Sequence, residues 1–67
     1  MSKLVQYFIK EFKKIKKVRG NLFENFLTFV NLMLTGDKDD KYKVGRIKIL
    51  QYITDNQKAI KLELIKN

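Results

Sequence analysis

Cysteine, histidine, tryptophan and proline are all missing from this chain of 67 residues. Without cysteine there is no disulfide, no thiolate metal site and no thiol nucleophile. Without histidine the commonest general base and the usual nitrogen ligand for a metal are gone as well. The three glycines, Gly20, Gly36 and Gly45, lie too far apart for a phosphate-cradling loop, and each reads as a cap or a bend. What remains for chemistry is a scatter of carboxylates, hydroxyls and lysines with no spacing that pairs a nucleophile with a base. Asp39 and Asp40 adjoin each other, but in a polar run where nothing raises a carboxylate's pKa. The expectation is a protein that is not an enzyme and carries no cofactor or metal.

A chain this short makes one domain, residues 1–67, close to the smallest size at which a core sustains a fold. Such domains lean on disulfides, metals or a partner, and with the first two unsupported, a homo-oligomer or a larger assembly is the expected support. Lys10, Glu11, Lys13 and Lys14 interrupt the N-terminal apolar residues before a cleavable hydrophobic region forms, so a cytoplasmic location is expected. Abundant Lys, Ile, Phe and Asn without Pro is the composition of AT-rich genomes and fits a phage- or plasmid-type accessory protein.

What the chain does have is positive charge and one long apolar stretch. Fifteen Lys or Arg against seven Asp or Glu give a net charge of +8, which attracts phosphate-rich partners or anionic surfaces. The apolar stretch is NLFENFLTFVNLMLTG, residues 21 to 36. Asn21 as N-cap, Glu24 at the third helical position and Gly36 as stop predict a helix over 22–35. Its apolar residues fill well over half of the helical wheel, leaving Glu24, Thr28, Asn31 and Thr35 as a narrow polar strip. At ~14 residues it is shorter than the ~20 a bilayer requires, so it reads as the central core helix, covered on more than one side.

Upstream, Leu4, Val5, Phe8, Ile9, Phe12, Ile15 and Val18 recur at three- and four-residue spacing and predict an amphipathic helix over 3–19, with Ser2 as its cap. Lys3, Lys10, Lys13, Lys14 and Lys17 fall in a sector of ~100° on its other side, a cationic ridge ~21 Å long. Lys16, Lys17 and Arg19 suit the negative end of the helix dipole, and Gly20 suits a stop. So short a connection predicts an antiparallel helical hairpin, with Phe8 and Phe12 meeting Phe26 and Phe29.

The run DKDDK, residues 37 to 41, reads as a solvated turn; an EF-hand would need Gly where Tyr42 stands and Glu where Lys48 stands. Beyond it the period changes. Ile47, Ile49 and Ile53 alternate, as do Ile60, Leu62 and Leu64, around the turn-forming run Thr54-Asp55-Asn56-Gln57. One register sets Ile49 opposite Leu62, Ile47 opposite Leu64 and Lys48 opposite Glu63, which predicts a β-hairpin over about 44–53 and 58–65. The expected fold is therefore α+β, the helical hairpin packed on the β-hairpin. The alternative is an all-α small helical bundle in which Thr54 to Gln57 forms a capping box for a last helix over 55–66.

The function class expected is non-catalytic binding. The lysine ridge, extended by Arg19, Arg46 and Lys48, suits the backbone of DNA or RNA, where each neutralised phosphate releases counterions. Lysines without Asn, Gln or Arg on the same face suit backbone contact more than base readout. Tyr7, Tyr42 and Tyr52 are candidates for stacking on bases, against the commoner fate of Tyr at a core rim. The alternatives are a small subunit, adaptor or inhibitor docking on an acidic protein surface, and a cationic amphipathic protein at a membrane surface. The membrane reading is weakened by the absence of Trp.

Overall fold

The computed structural model describes residues 2–15, 20–36 and 45–66. They form four helices, α1 (Lys3–Lys13), α2 (Leu22–Gly36), α3 (Arg46–Asp55) and α4 (Gln57–Ile65), with no strand among the described residues. The protein is all-α. That overturns the α+β expectation for residues 44–65 and agrees with the helical-bundle alternative.

The first two helices start where their caps place them. The Ser2 Oγ accepts the Val5 N–H at 3.1 Å, and the Asn21 Oδ1 accepts the Glu24 N–H at 3.1 Å, so each satisfies a donor that the first turn leaves open. Gly20 takes φ +85°, the left-handed conformation that L side chains adopt only under strain, and turns the chain into the Asn21 cap. Asn21→Ala should lower stability by about 1 kcal/mol in urea unfolding, the usual worth of such a cap.

At its other end α1 is shorter than the spacing predicts. Lys13 is its last residue and Lys14 its C-cap, with the Lys14 N–H bonded back to the Glu11 carbonyl at 3.2 Å. Ile15 lies outside the helix and is exposed. The expected contributions of Lys16, Lys17, Val18 and Arg19 lie outside the described residues, as do the DKDDK turn, its excluded calcium reading and Tyr42.

The core is one cluster drawn from all four helices. Val5, Phe8, Ile9 and Phe12 come from α1; Phe23, Phe26, Val30 and Leu34 from α2; Ile53 from α3; and Ile60 and Leu64 from α4. The α2 residues are spaced by three and four, the stripe that a helix turns toward one side. Phe12 sets its ring against both Phe26 and Phe29, with centroids 5.4 Å apart in each pair. This is the expected meeting of α1 and α2, carried by Phe12; Phe8 is buried in the same core and stands edge-on to Tyr7. α2 packs on each of the other three helices, as α4 also does, and it gives the core four residues against two from α4, which makes it the central element. Its apolar arc is not covered all round, however: Leu32 is 64% exposed and Met33 is exposed beside it.

In the C-terminal half, Asn56 stands where the hairpin turn was expected and links two helices. Its N–H and its side-chain Nδ2 both donate to the Tyr52 carbonyl, at 3.0 and 2.8 Å, closing α3. Its own carbonyl accepts the Ile60 N–H at 3.0 Å and opens α4. Thr54 does not cap; its hydroxyl donates back to the Leu50 carbonyl at 2.9 Å. The cross-strand pairs are therefore absent, and Glu63, expected opposite Lys48, instead pairs with Lys66 at 3.0 Å.

The physical reason lies in residue type. Gln57, Lys58, Ala59, Lys61, Leu62, Glu63 and Leu64 are strong helix formers, whereas a strand wants β-branched and aromatic residues. The chain satisfies this local preference at the expense of its alternating pattern. Ile53, Ile60 and Leu64 go inward, while Ile47 is left 76%, Leu62 60% and Ile65 67% exposed.

Candidate functional site

The lysines of α1 occupy the side opposite the core stripe. Lys3, Lys10, Lys13 and Lys14 are all exposed, while Val5, Phe8, Ile9 and Phe12 are buried, so the same helical period that builds the core lines up the cations. From Lys3 to Lys13 the ridge runs ~15 Å at 1.5 Å per residue. Lys17 and Arg19, which the sequence adds to this ridge, lie outside the described residues.

The four lysines are not equivalent. Lys14 is held by Glu11, with Nζ and Oε2 2.7 Å apart one helical turn from each other. That hydrogen bond, and then the attraction between the two charges, raises the Lys14 pKa above its ordinary value, so it stays charged but is partly neutralised locally. Among the described residues, Lys3, Lys10 and Lys13 have no ion-pair partner within bonding distance. They are the cations available to an outside ligand.

Beside the ridge, α1 and α4 leave a cleft of about 400 Å³ lined by Gln6, Ile9, Lys10, Lys13 and Glu63. Lys66 donates to Glu63 across one helical turn, and this bond and charge, with a smaller pull from Lys13, hold the Glu63 carboxyl below its ordinary pKa. Glu63 is thus an anion at neutral pH, seated next to two lysines. A phosphate entering the cleft floor would meet that carboxylate, so the outward ends of the lysines are the favourable contact points.

The extension to α3 divides. The N-terminus of α1 is tied to α3, with the Ser2 N–H donating to the Tyr52 hydroxyl at 3.1 Å. Lys48 is exposed one turn before Tyr52 on the same side of α3. Arg46 is half-buried at the start of α3 and lies roughly 160° around the helix from Lys48, so the two do not form one footprint. Tyr52 is half-buried and engaged with Ser2, while Tyr7 is exposed at the edge of Phe8.

Sequence reasoning missed the cations of α4. Lys58, Lys61 and Lys66 are exposed, and the Lys61 ammonium sits 5.5 Å from the centre of the Phe23 ring. The signal that exposes them is the helix-forming composition of residues 57–64, which outweighs their alternation.

Every buried residue among those described is apolar. Among the described residues there is no group of His, Cys, Asp or Glu able to hold a metal ion, and no helix is long and apolar enough to cross a membrane. Comparison with models of protein families, with curated proteins and with solved structures found no match for this chain.

Proposed function

We propose that this protein is a non-catalytic binder of nucleic-acid backbone, acting through the exposed lysines of α1. The observation that supports this reading most is the set Lys3, Lys10 and Lys13: exposed on one side of a single helix, unpaired among the described residues, and backed by a +8 chain. Duplex DNA presents one negative charge per ~1.7 Å of axis, so a ~15 Å ridge faces several phosphates at once. Ammonium groups contact phosphates as point charges and carry no base information, so little sequence preference is expected.

The test compares two variants that lose the same charge in different places. Lys3, Lys10 and Lys13 are replaced together by Gln in one; Lys58, Lys61 and Lys66 are replaced together by Gln in the other. Binding to labelled duplex DNA and to single-stranded RNA is followed by anisotropy at about 50 mM salt, where such contacts are strong. The α1 variant should lose at least about tenfold in affinity and the α4 variant much less. Equal losses would mean that net charge, rather than this face, drives binding; no binding by the parent protein would remove the nucleic-acid reading.

A further inference from the structure

The α4 surface differs in kind from the α1 ridge, because its exposed residues alternate between aliphatic and cationic. Leu62 and Ile65, spaced one turn apart, are 60% and 67% exposed, and Lys58, Lys61 and Lys66 stand around them. Ile47 and Leu32 are equally open, but Ile65 also lines a cleft, so exposed aliphatics and a concave surface meet here. Beside them the surface is concave. Asn21, Leu22 and Phe23 of the α2 entry face Lys61, Leu64 and Ile65 across a cleft of about 220 Å³, and its lining is largely apolar.

We infer that this α2–α4 cleft is a docking site for an acidic amphipathic helix of another protein. An apolar cleft takes the projecting side chains that such a helix presents at one- and two-turn spacing, and lysines at its edge take the flanking carboxylates. Lys61 is placed for both roles. It lines the cleft, and its ammonium lies 5.5 Å from the ring centre of Phe23 in the same lining, a cation for an arriving carboxylate.

Charge argues against the other occupants. A two-fold contact between copies of this face would set Lys58 and Lys61 against their own images. Nucleic acid has no use for the aliphatics, which would be left against water or phosphate. A lipid surface would accept aliphatics and lysines together, but it has no projection to fill a concave cleft flanked by Leu22 and Phe23.

The probe is a synthetic helical peptide with Leu at i, i+3 and i+7 and Glu beside them, together with one version in which Gln replaces every Glu and another in which Ala replaces every Leu. The acidic parent peptide should bind, and each altered version should bind at least about tenfold more weakly. Amide shifts on binding should centre on Phe23, Leu64 and Ile65 rather than on Lys3 and Lys10. Replacing Leu62 and Ile65 together by Ser, a neutral change on exposed positions, should weaken the peptide at least about tenfold and leave DNA binding by α1 unchanged. Replacing exposed Leu32 by Ser is the control and should change neither. Peptide binding that ignores the Leu62→Ser, Ile65→Ser change, or shifts confined to α1, would overturn the docking site. So would anionic phospholipid vesicles binding through Leu62 and Ile65 where the peptide does not, or a dimer in sedimentation that the double change dissociates.

Discussion

Phe26→Ala is expected to cost the domain at least about a third of its stability, and all of it if the stability lies at the low end for this chain length. Phe26 is 0% exposed, sits mid-way along the buried stripe of α2, which packs on the other three helices, and sets its ring at 71° to that of Phe12. Truncating a buried Phe costs about 3 to 5 kcal/mol, of which an aromatic pair supplies about 0.5 to 1.5. At about 0.05 to 0.15 kcal/mol per residue, a chain of 67 residues has only about 3 to 10 kcal/mol in all. At the low end of that range the loss unfolds the domain, and at the high end it removes about a third to a half of the stability. Thr28, on the exposed side of the same helix, should tolerate Ala within about 0.5 kcal/mol, as should Leu32. Urea unfolding followed by far-UV circular dichroism measures all three; a Phe26→Ala protein as stable as Thr28→Ala would mean that α2 is not central to the core.

How far the sequence shows this fold depends on which half is considered. In the first half, local and global signals agree. Ser2 and Asn21 cap, the three-and-four spacing of Phe8, Ile9 and Phe12 matches a helix, and the polar residues fall opposite. Val5, Phe8, Ile9 and Phe12 could therefore be named from spacing alone, and so could the exposure of Lys3, Lys10 and Lys13, but the same spacing also claimed Ile15, which lies beyond the helix end and is exposed.

In the second half the signals conflict. The alternation of Ile60, Leu62 and Leu64 is a strand period, yet Gln57 to Leu64 prefers helix residue by residue. Helix prevails because a single face made of Ile60 and Leu64, four residues apart, suffices to reach the core of so small a bundle. Ile47 and Leu62, which the strand register buries, are left outside by that conflict, and a pattern-based reading that insists on burying them chooses the wrong element.

The site was legible to the same degree as its helix. Which lysines face outward follows from the wheel, but which of them are neutralised does not. Glu11 and Lys14 are three residues apart, a spacing that permits an ion pair without requiring one. Glu63 arrives beside Lys10 and Lys13 only because α4 packs on α1, a tertiary fact that no local pattern carries. The same holds for Arg46, whose position on the core side of α3 depends on residues 46–55 being a helix at all.

Salt should govern nucleic-acid binding, and by a predictable amount. If Lys3, Lys10 and Lys13 each neutralise one phosphate, the slope of log affinity against log salt on duplex DNA should be ~−2.7, from ~0.9 counterions released per contact. Between about 50 and about 200 mM salt, affinity should then fall roughly 40-fold. On a single strand the release is ~0.7 per contact, which predicts a slope of ~−2.1 and a fall of roughly 20-fold over the same range. Lys14 contributes less than a full contact because Glu11 occupies it, and Glu63 beside the cleft subtracts from the field rather than adding to it. The slope should be the same at pH 6 and pH 7, since the chain has no histidine to change charge in that interval. Replacing Lys3, Lys10 and Lys13 by Gln should flatten the duplex slope by up to ~2.7 with the helical circular dichroism unchanged, because these side chains leave the core untouched. A duplex slope near zero, or a slope that the triple replacement leaves as it was, would show that the α1 face does not track a phosphate backbone and would leave the α2–α4 cleft as the binding surface to pursue.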